Sequence, residues 1–228
     1  MIAVSGETLE GVSATTLWTL RNRATEAKRR RGVIDDPWAV TLFESIDYDY
    51  GKFGRISQTH ALRGLAFDDA ACEYLRAHPK ASVVAIAEGL QTSFWRLQAA
   101  GVGHELTWYS LDLPPVMALR QRLLPRDPRI VQLAQSALDR SWMDRVDTAH
   151  GVFVTAEGLL MYLAPTDALG LIADCAARFP GGQMVFDTIP RWVSRRSLKG
   201  SKQSGRYNVP PMPFSLTANE ARALTDTI

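Results

Sequence analysis

The chain has 228 residues, is 46% hydrophobic and 22% charged, and carries a formal net charge of +2. This length and composition predict one globular domain with a sizeable core, and the small charge argues against a nucleic-acid or membrane partner. Cys72 and Cys175 are far apart and the four histidines show no ligand spacing, so we expect neither a disulfide framework nor a metal site. Residues 1–11 lack a signal-peptide pattern and the apolar runs are short, so we expect a cytoplasmic location.

Residues 1–80 read as helices joined by loops. Leu17, Leu20 and Ala24 at helical spacing predict a helix ending near residue 31, with Ser13 or Thr15 as its N-cap. Further helices are predicted over residues 38–45 and 65–77. We therefore interpret 1–80 as an N-terminal helical extension that acts as a lid.

Residues 81–228 alternate between strand and helix patterns. Strands are predicted at 82–87, 106–111, 129–133, 151–156 and 183–189, with helices at 92–100, 115–124 and 166–179. This alternation indicates an α/β fold: a doubly wound, mainly parallel, Rossmann-like sheet with helices on both faces, forming one structural unit with the extension. Residues 190–213 are rich in Ser, Arg, Lys, Gly and Pro, which predicts a long mobile loop. A capping box at 217–220 predicts a short helix.

Ligands of such sheets bind at the carboxyl ends of the strands, where the strand order reverses. The first strand is followed by Ala87, Glu88 and Gly89, the second by Asp112 and the fourth by Glu157. Asp112 lies 23 positions after Gly89, a spacing at which a carboxylate accepts hydrogen bonds from ribose hydroxyls. The alternative for Asp112 is a cap of the following helix.

The loop after the first strand discriminates between two nucleoside cofactors. A dinucleotide favours the GxGxxG pattern, but here Ala87, Gly89 and Thr92 occupy the three glycine positions. The pattern therefore favours S-adenosylmethionine, which has no pyrophosphate, and leaves an NAD-dependent oxidoreductase as an alternative.

Three segments carry a family resemblance: VVAIAEGLQTSFWRL (83–97), WYSLDLPPVMALRQRLLP (108–125) and AEGLLMYL (156–163). Together with DDPWA (35–39) and LRGLAFDDA (62–70), they resemble the leucine carboxyl methyltransferase family, which includes protein-phosphatase methyltransferases and O-methyltransferases of bacterial polyketide and other secondary metabolism. The resemblance covers residues 16–191. It implies an S-adenosylmethionine-dependent O-methyltransferase that acts on a carboxylate or hydroxyl of a small molecule, for example a polyketide. A family member that binds the donor without turnover is a further alternative.

The resemblance also implies a sheet of seven strands in the order 3-2-1-4-5-7-6. Five strands are predicted within residues 1–228, so the last antiparallel pair is expected to be missing. An exposed fifth strand would favour pairing with a second copy, hence a homodimer.

Site residues follow from the resemblance. The positions implied to bind the donor are Arg63, Ala87, Glu88, Gly89, Asp112, Ser136, Ala137 and Glu157. Arg63 is implied to hold the carboxylate of the donor, Asp112 the ribose, and Ser136 with Ala137 the adenine. Lys28 or a nearby arginine is a further candidate for reaching the donor.

The acceptor side is less defined. Tyr162 is implied to lie near the acceptor pocket, with core packing as its alternative. Arg63 could instead form a surface ion pair, and Glu157 could cap a helix. His60 is expected to be structural or solvated, and we assign no catalytic base, which favours an acceptor oxygen that ionises by itself. Gln91 and Ser136 depart from the acidic residues usual in the family.

Overall fold

The computed structural model describes residues 4–200, 202–204 and 206–225. Its helices are α1 (Thr15–Ala27), α2 (Pro37–Ser45), α3 (Thr59–Ala77), α4 (Ser93–Ala99), α5 (Pro114–Leu123), α6 (Pro165–Arg178), α7 (Arg191–Leu198) and α8 (Ala218–Thr225). Its strands are β1 (Val4–Ser5), β2 (Ile46–Asp47), β3 (Ser82–Ile86), β4 (Thr107–Asp112), β5 (Ile130–Ala134), β6 (Val152–Ala156), β7 (Gln183–Phe186), β8 (Lys202–Ser204) and β9 (Tyr207–Asn208). Short 3-10 helices lie at Tyr50–Phe53, Arg140–Arg145 and Leu160–Tyr162.

The central sheet has the strand order β5-β4-β3-β6-β7, and every pairing in it is parallel. The chain runs outward from β3 through β4 to β5, then returns to the other side of β3 for β6 and β7. The strand order therefore reverses beside β3, which creates a crevice at the carboxyl ends. The predicted doubly wound sheet is confirmed, and its order equals the first five strands of the expected arrangement.

Successive residues of β3 face opposite layers of the fold, as the pleat requires. Val84 lies in one buried cluster with Trp142 and with Leu171 of α6. Val83 lies in another with Leu75 of α3 and Phe94 of α4. All of β3 is buried, which explains why it reads as a continuous apolar run.

The extension has its own apolar cluster, which continues into the sheet domain. Leu17 and Leu20 of α1 are packed with Leu42 of α2, and the same cluster contains Leu90 from the loop after β3 and Leu119 of α5. The cluster places α1 directly over the carboxyl ends of the strands.

A buried ionic network reinforces this contact. Asp36, which is 1% exposed, caps α2 through the Ala39 N–H and pairs with Arg23 Nε at 3.3 Å and Arg96 Nη1 at 2.7 Å. Its carboxylate also accepts the Thr92 hydroxyl. Burial alone would raise the pKa of Asp36, but the two guanidinium groups outweigh it and hold the pKa below its ordinary value.

Some local predictions are wrong. Neither Ser13 nor Thr15 caps α1: Ala14 is the N-cap, and Thr15 Oγ1 donates to the Val12 carbonyl at 2.6 Å. Helix α3 begins at Thr59 rather than residue 65, so His60 and Arg63 lie inside it, and β7 ends at Phe186 rather than residue 189.

The segment predicted as a loop over 190–213 instead contains α7, β8 and β9, although its residues 201 and 205 lie outside the described residues. Buried Ser197 anchors it, since its hydroxyl accepts from the Met212 N–H at 2.9 Å. The capping box is confirmed, with the Glu220 N–H donating to Thr217 Oγ1 and the Thr217 N–H to Glu220 Oε2. No helix in the described part of the chain is long and apolar enough to cross a membrane.

Candidate active site

A cavity of about 270 Å³ opens at the carboxyl ends of β3, β4, β5 and β6. Nine predicted positions line it: Arg63, Ala87, Glu88, Gly89, Asp112, Ser136, Ala137, Glu157 and Tyr162. Its remaining wall includes Thr15, Thr16 and Trp18 of α1, together with His60 of α3. The sequence predicted that the N-terminal helices act as a lid but did not identify which of their residues line the cavity, because a helical pattern does not say which part of the sheet a helix covers.

The loop after β3 forms the floor of the cavity. Gly89 has φ +59°, and a Cβ added there would overlap Thr16 Oγ1 and lie 3.2 Å from Thr16 Cβ. Ala87 has φ +51°, the one non-glycine residue at positive φ among the described residues. This conformation is strained for alanine and not for glycine, the residue that the GxGxxG pattern has at that position.

Two helices hold this loop from opposite sides. From α1, Thr16 Oγ1 accepts the Leu90 N–H at 2.7 Å and Arg23 Nη2 donates to the Leu90 carbonyl at 2.8 Å. From α5, Arg120 Nη1 donates to the carbonyls of Gly89 at 2.9 Å and Gln91 at 2.8 Å. The loop backbone is therefore fixed without any ligand.

Asp112 faces the cavity from the end of β4. Its Oδ2 accepts the Gly89 N–H at 2.6 Å and its Oδ1 accepts the Leu113 N–H at 2.7 Å. Burial raises the pKa of Asp112, and the two N–H bonds oppose that effect. A carboxylate oxygen can accept more than one hydrogen bond, so these contacts orient Asp112 and leave it able to accept hydroxyl groups.

Arg63 is enclosed by two acids rather than lying on the surface. Its Nε pairs with Glu157 at 2.9 Å and its Nη1 pairs with Asp187 at 3.0 Å. Burial would lower the pKa of Arg63, but the two carboxylates raise it above its ordinary value. Nη2 makes no hydrogen bond with a described residue and lies 3.2 Å from the position of a Cβ at Gly158.

The acids around Arg63 are themselves positioned by polar contacts. Glu157 Oε2 accepts the Gln91 side-chain amide at 2.6 Å, so Gln91 replaces the usual acidic side chain with a donor. Asp187 Oδ1 accepts the Gly158 N–H at 2.6 Å, and burial raises the pKa of Asp187. The sequence prediction missed Asp187 because it placed this residue inside the fifth strand; a polar residue just after a strand end was the signal.

Glu88 is on the cavity wall, and its carboxylate is held by partners within the protein. Its carboxylate, buried beneath the loop, pairs with Arg120 Nη2 at 2.8 Å and accepts the Trp108 indole N–H at 3.2 Å and the Ser110 hydroxyl. These three partners occupy the carboxylate. Glu88 therefore supports the loop through Arg120 instead of presenting its charge to the cavity.

The remaining candidates divide between the cavity and the surface. Ser136 lines the cavity and its Oγ accepts the Leu138 N–H at 3.1 Å. Tyr162 is half-buried on the cavity wall, where burial raises its pKa and Thr15 is a hydrogen-bond neighbour. Lys28 is not part of the wall, since its ammonium pairs with Glu44 at 2.6 Å on the surface.

The model of the leucine carboxyl methyltransferase family matches residues 16–176, more than half of the chain. The chain belongs to this family. Tetracenomycin polyketide synthesis O-methyltransferase TcmP of Streptomyces glaucescens is 31% identical over 195 residues, covering 83% of this chain and 71% of that protein. A putative S-adenosyl-L-methionine-dependent methyltransferase of Mycolicibacterium vanbaalenii is 26% identical, covering 78% of this chain and 68% of that one.

Among solved structures, the LepI complex with SAM has a TM-score of 0.49 and 17% identity to this chain, covering 97% of it. The chain spans 62% of that structure's own chain. Family membership confirms the predicted resemblance and the class of enzyme that it implies, the S-adenosylmethionine-dependent methyltransferases.

Proposed function

We propose that this chain transfers a methyl group from S-adenosylmethionine to a carboxylate or hydroxyl oxygen of a small molecule of the polyketide or a related class. The strongest support is that nine predicted positions line the same cavity, at the point where the strand order reverses. The similarity to a polyketide O-methyltransferase supports the class of acceptor.

The residues of the cavity fit the donor. The missing Cβ of Gly89 lets Thr16 of the cavity wall approach the loop closely, and the oriented carboxylate of Asp112 suits a ribose. The open Nη2 of Arg63 suits the donor's carboxylate, while Glu157 and Asp187 suit its ammonium group. Ser136 and Ala137, beyond the end of β5, are proposed to enclose the adenine.

The donor, when bound, supplies a methyl group on a positively charged sulfur, which is already a good leaving group. The task left for the chain is to align the acceptor oxygen with that methyl and to exclude water. Trp18, Met161 and Leu163 give one part of the cavity an apolar wall, with Tyr162 between the last two. Burial lowers the pKa of His60 to about 3, so this imidazole is a weak base at neutral pH. The acceptor oxygen is therefore proposed to ionise by itself, as a carboxylate does.

Calorimetry tests the donor site. The wild-type chain should bind S-adenosylhomocysteine and not NAD, and Asp112→Asn should weaken S-adenosylhomocysteine at least about tenfold, because a charge-assisted hydrogen bond contributes about 1.5–3 kcal/mol. Asp144→Asn is the matched control, since Asp144 is an exposed partner of Arg178 outside the cavity wall. NAD binding, or equal affinity in the Asp112 variant, would contradict the proposal. Affinity without methylation of any acceptor in a panel of aromatic carboxylates and phenols would indicate a member without turnover.

We also propose a homodimer without a nucleic-acid partner. Within the described residues β7 pairs with β6 and with no other strand, which supports pairing of its second edge with another copy of the chain. Size-exclusion chromatography with light scattering should give twice the mass of 25.2 kDa, and a monomer would contradict this part of the proposal.

A further inference from the structure

His60 and Asn22 form a polar pair behind the acceptor side of the cavity. Asn22 of α1 is fully buried, and its Nδ2 lies 2.7 Å from Nδ1 of His60 in α3. On its other side, Asn22 Oδ1 accepts the backbone N–H of Ser57 at 3.3 Å. The imidazole ring also packs against Trp18 in a T-shaped contact with centroids 5.4 Å apart.

These contacts determine the tautomer of His60. A backbone N–H can only donate, so the Asn22 oxygen must face Ser57 and the Asn22 amino group must face the imidazole. The amino group in turn donates to Nδ1, which therefore carries a lone pair. The proton of the neutral ring then lies on Nε2. A second ring proton is disfavoured because the ring is buried, because Arg63 and Arg23 are charged neighbours, and because the proton would face the Asn22 amino group.

The Nε2–H is directed to the cavity. His60 lines the cavity wall and Asn22, which takes Nδ1, does not. None of the described residues forms a hydrogen bond with Nε2, and this atom is accessible to solvent. The wall beside it is Trp18, so a fixed hydrogen-bond donor stands next to an apolar surface.

We propose that His60 donates its Nε2–H to an oxygen of the methyl acceptor and so selects anionic oxygens, carboxylates above all, with Asn22 as the positioning residue that fixes the donor tautomer. This inference rests on the proposed function and names its substrate class. One carboxylate oxygen attacks the methyl carbon, the new O–C bond forms, and the S–C bond breaks with its electron pair left on sulfur. The products are a methyl ester and S-adenosylhomocysteine, and no proton leaves the acceptor. His60 holds the second carboxylate oxygen and takes up no proton.

The tautomer is tested by NMR on protein with ¹⁵N-labelled histidine, in the presence of S-adenosylhomocysteine at pH 8. We expect His60 to show a protonated Nε2 and an unprotonated Nδ1. Asn22→Asp keeps the oxygen that accepts from Ser57 but replaces the amino group with an acceptor, so it should move the proton to Nδ1. Protonated Nδ1 in the wild type, or the same tautomer in both proteins, overturns the inference.

The role of the donor is tested by binding 2-naphthoate and the neutral 2-naphthamide to the complex with S-adenosylhomocysteine. In the wild type, 2-naphthoate should shift the His60 Nε2 resonance. In His60→Leu, the affinity for 2-naphthoate should fall about tenfold or more, and the affinity for 2-naphthamide should change much less. His60→Gln, which keeps a side-chain N–H, should restore part of the loss, and exposed His150→Leu is the matched control. No response of His60 to 2-naphthoate, or equal losses for both probes, overturns the inference. Failure to bind S-adenosylhomocysteine would instead defeat the proposed function.

Discussion

Gly89→Ala tests whether the loop after β3 and helix α1 form one rigid site. Alanine at φ +59° costs about 1–2 kcal/mol in the left-handed region. Its Cβ would displace Thr16, whose hydroxyl accepts the Leu90 N–H, and losing that bond costs about 1 kcal/mol. Reduced entropy of the unfolded chain returns about 0.5–1 kcal/mol. The free energy of unfolding should therefore fall by about 2 kcal/mol.

Urea unfolding followed by circular dichroism measures this loss, which corresponds to a midpoint about 1 M lower. Affinity for S-adenosylhomocysteine should fall as well, because the Gly89 N–H orients Asp112. Gly181→Ala is the matched control: it has φ +77° but its Cβ meets nothing within 4 Å, so it should lose about 1 kcal/mol and keep its affinity.

A double-mutant cycle with Thr16→Ala isolates the steric part of the Gly89→Ala effect. Removing the Thr16 hydroxyl removes the overlap, so the two losses should sum to about 1 kcal/mol more than the double variant shows. Additive losses, or a Gly89→Ala protein with unchanged midpoint and affinity, would refute this account of the loop.

Three further outcomes are expected in urea unfolding. Ala87→Gly relieves φ +51° and should raise stability by up to about 1 kcal/mol; a lower midpoint would speak against strain there. Asp36→Asn leaves Arg23 and Arg96 without their shared carboxylate and should lower the free energy of unfolding by about 3–5 kcal/mol. Because the pKa of Asp36 is lowered in the folded protein, the wild type should lose stability below about pH 4. The Asn variant should not show this pH-dependent loss. The pKa of His60 is about 3 in the folded protein and about 6.5 in the unfolded chain. Its stabilising contribution is therefore complete above pH 6.5 and is lost as the pH falls toward 3. His60→Gln should make the free energy of unfolding less dependent on pH in this range, and an unchanged dependence would contradict the shifted pKa.

The sheet and the wall of the cavity at its carboxyl edge were predictable from the sequence because each depends on local pattern. Buried parallel strands are short apolar runs, and the polar residues that follow them, such as Asp112 and Glu157, must gather at one edge of the sheet. The unusual residues were informative too. Ala87 departs from glycine and is strained in the structure, and Gln91 departs from an acid and donates to Glu157.

What the sequence did not reveal depends on contacts between distant segments. Asn22 and His60 are 38 positions apart, and neither lies in a motif, so their pairing follows only from the packing of α1 on α3. The carboxylate of Glu88 pairs with Arg120, 32 positions further along, because a buried charge requires a charged or hydrogen-bonding partner. The basic composition of residues 190–213 indicated a loop and gave no sign that Ser197 is buried and anchors α7.

Helix α1 touches the peptide groups on both sides of Leu90, through Thr16 at the N–H and Arg23 at the carbonyl. Moving α1 aside would break both of these hydrogen bonds to the loop after β3. We therefore expect residues 81–228, expressed alone, to lack an ordered loop after β3. We expect ligands to enter the cavity by a route that leaves α1 in place.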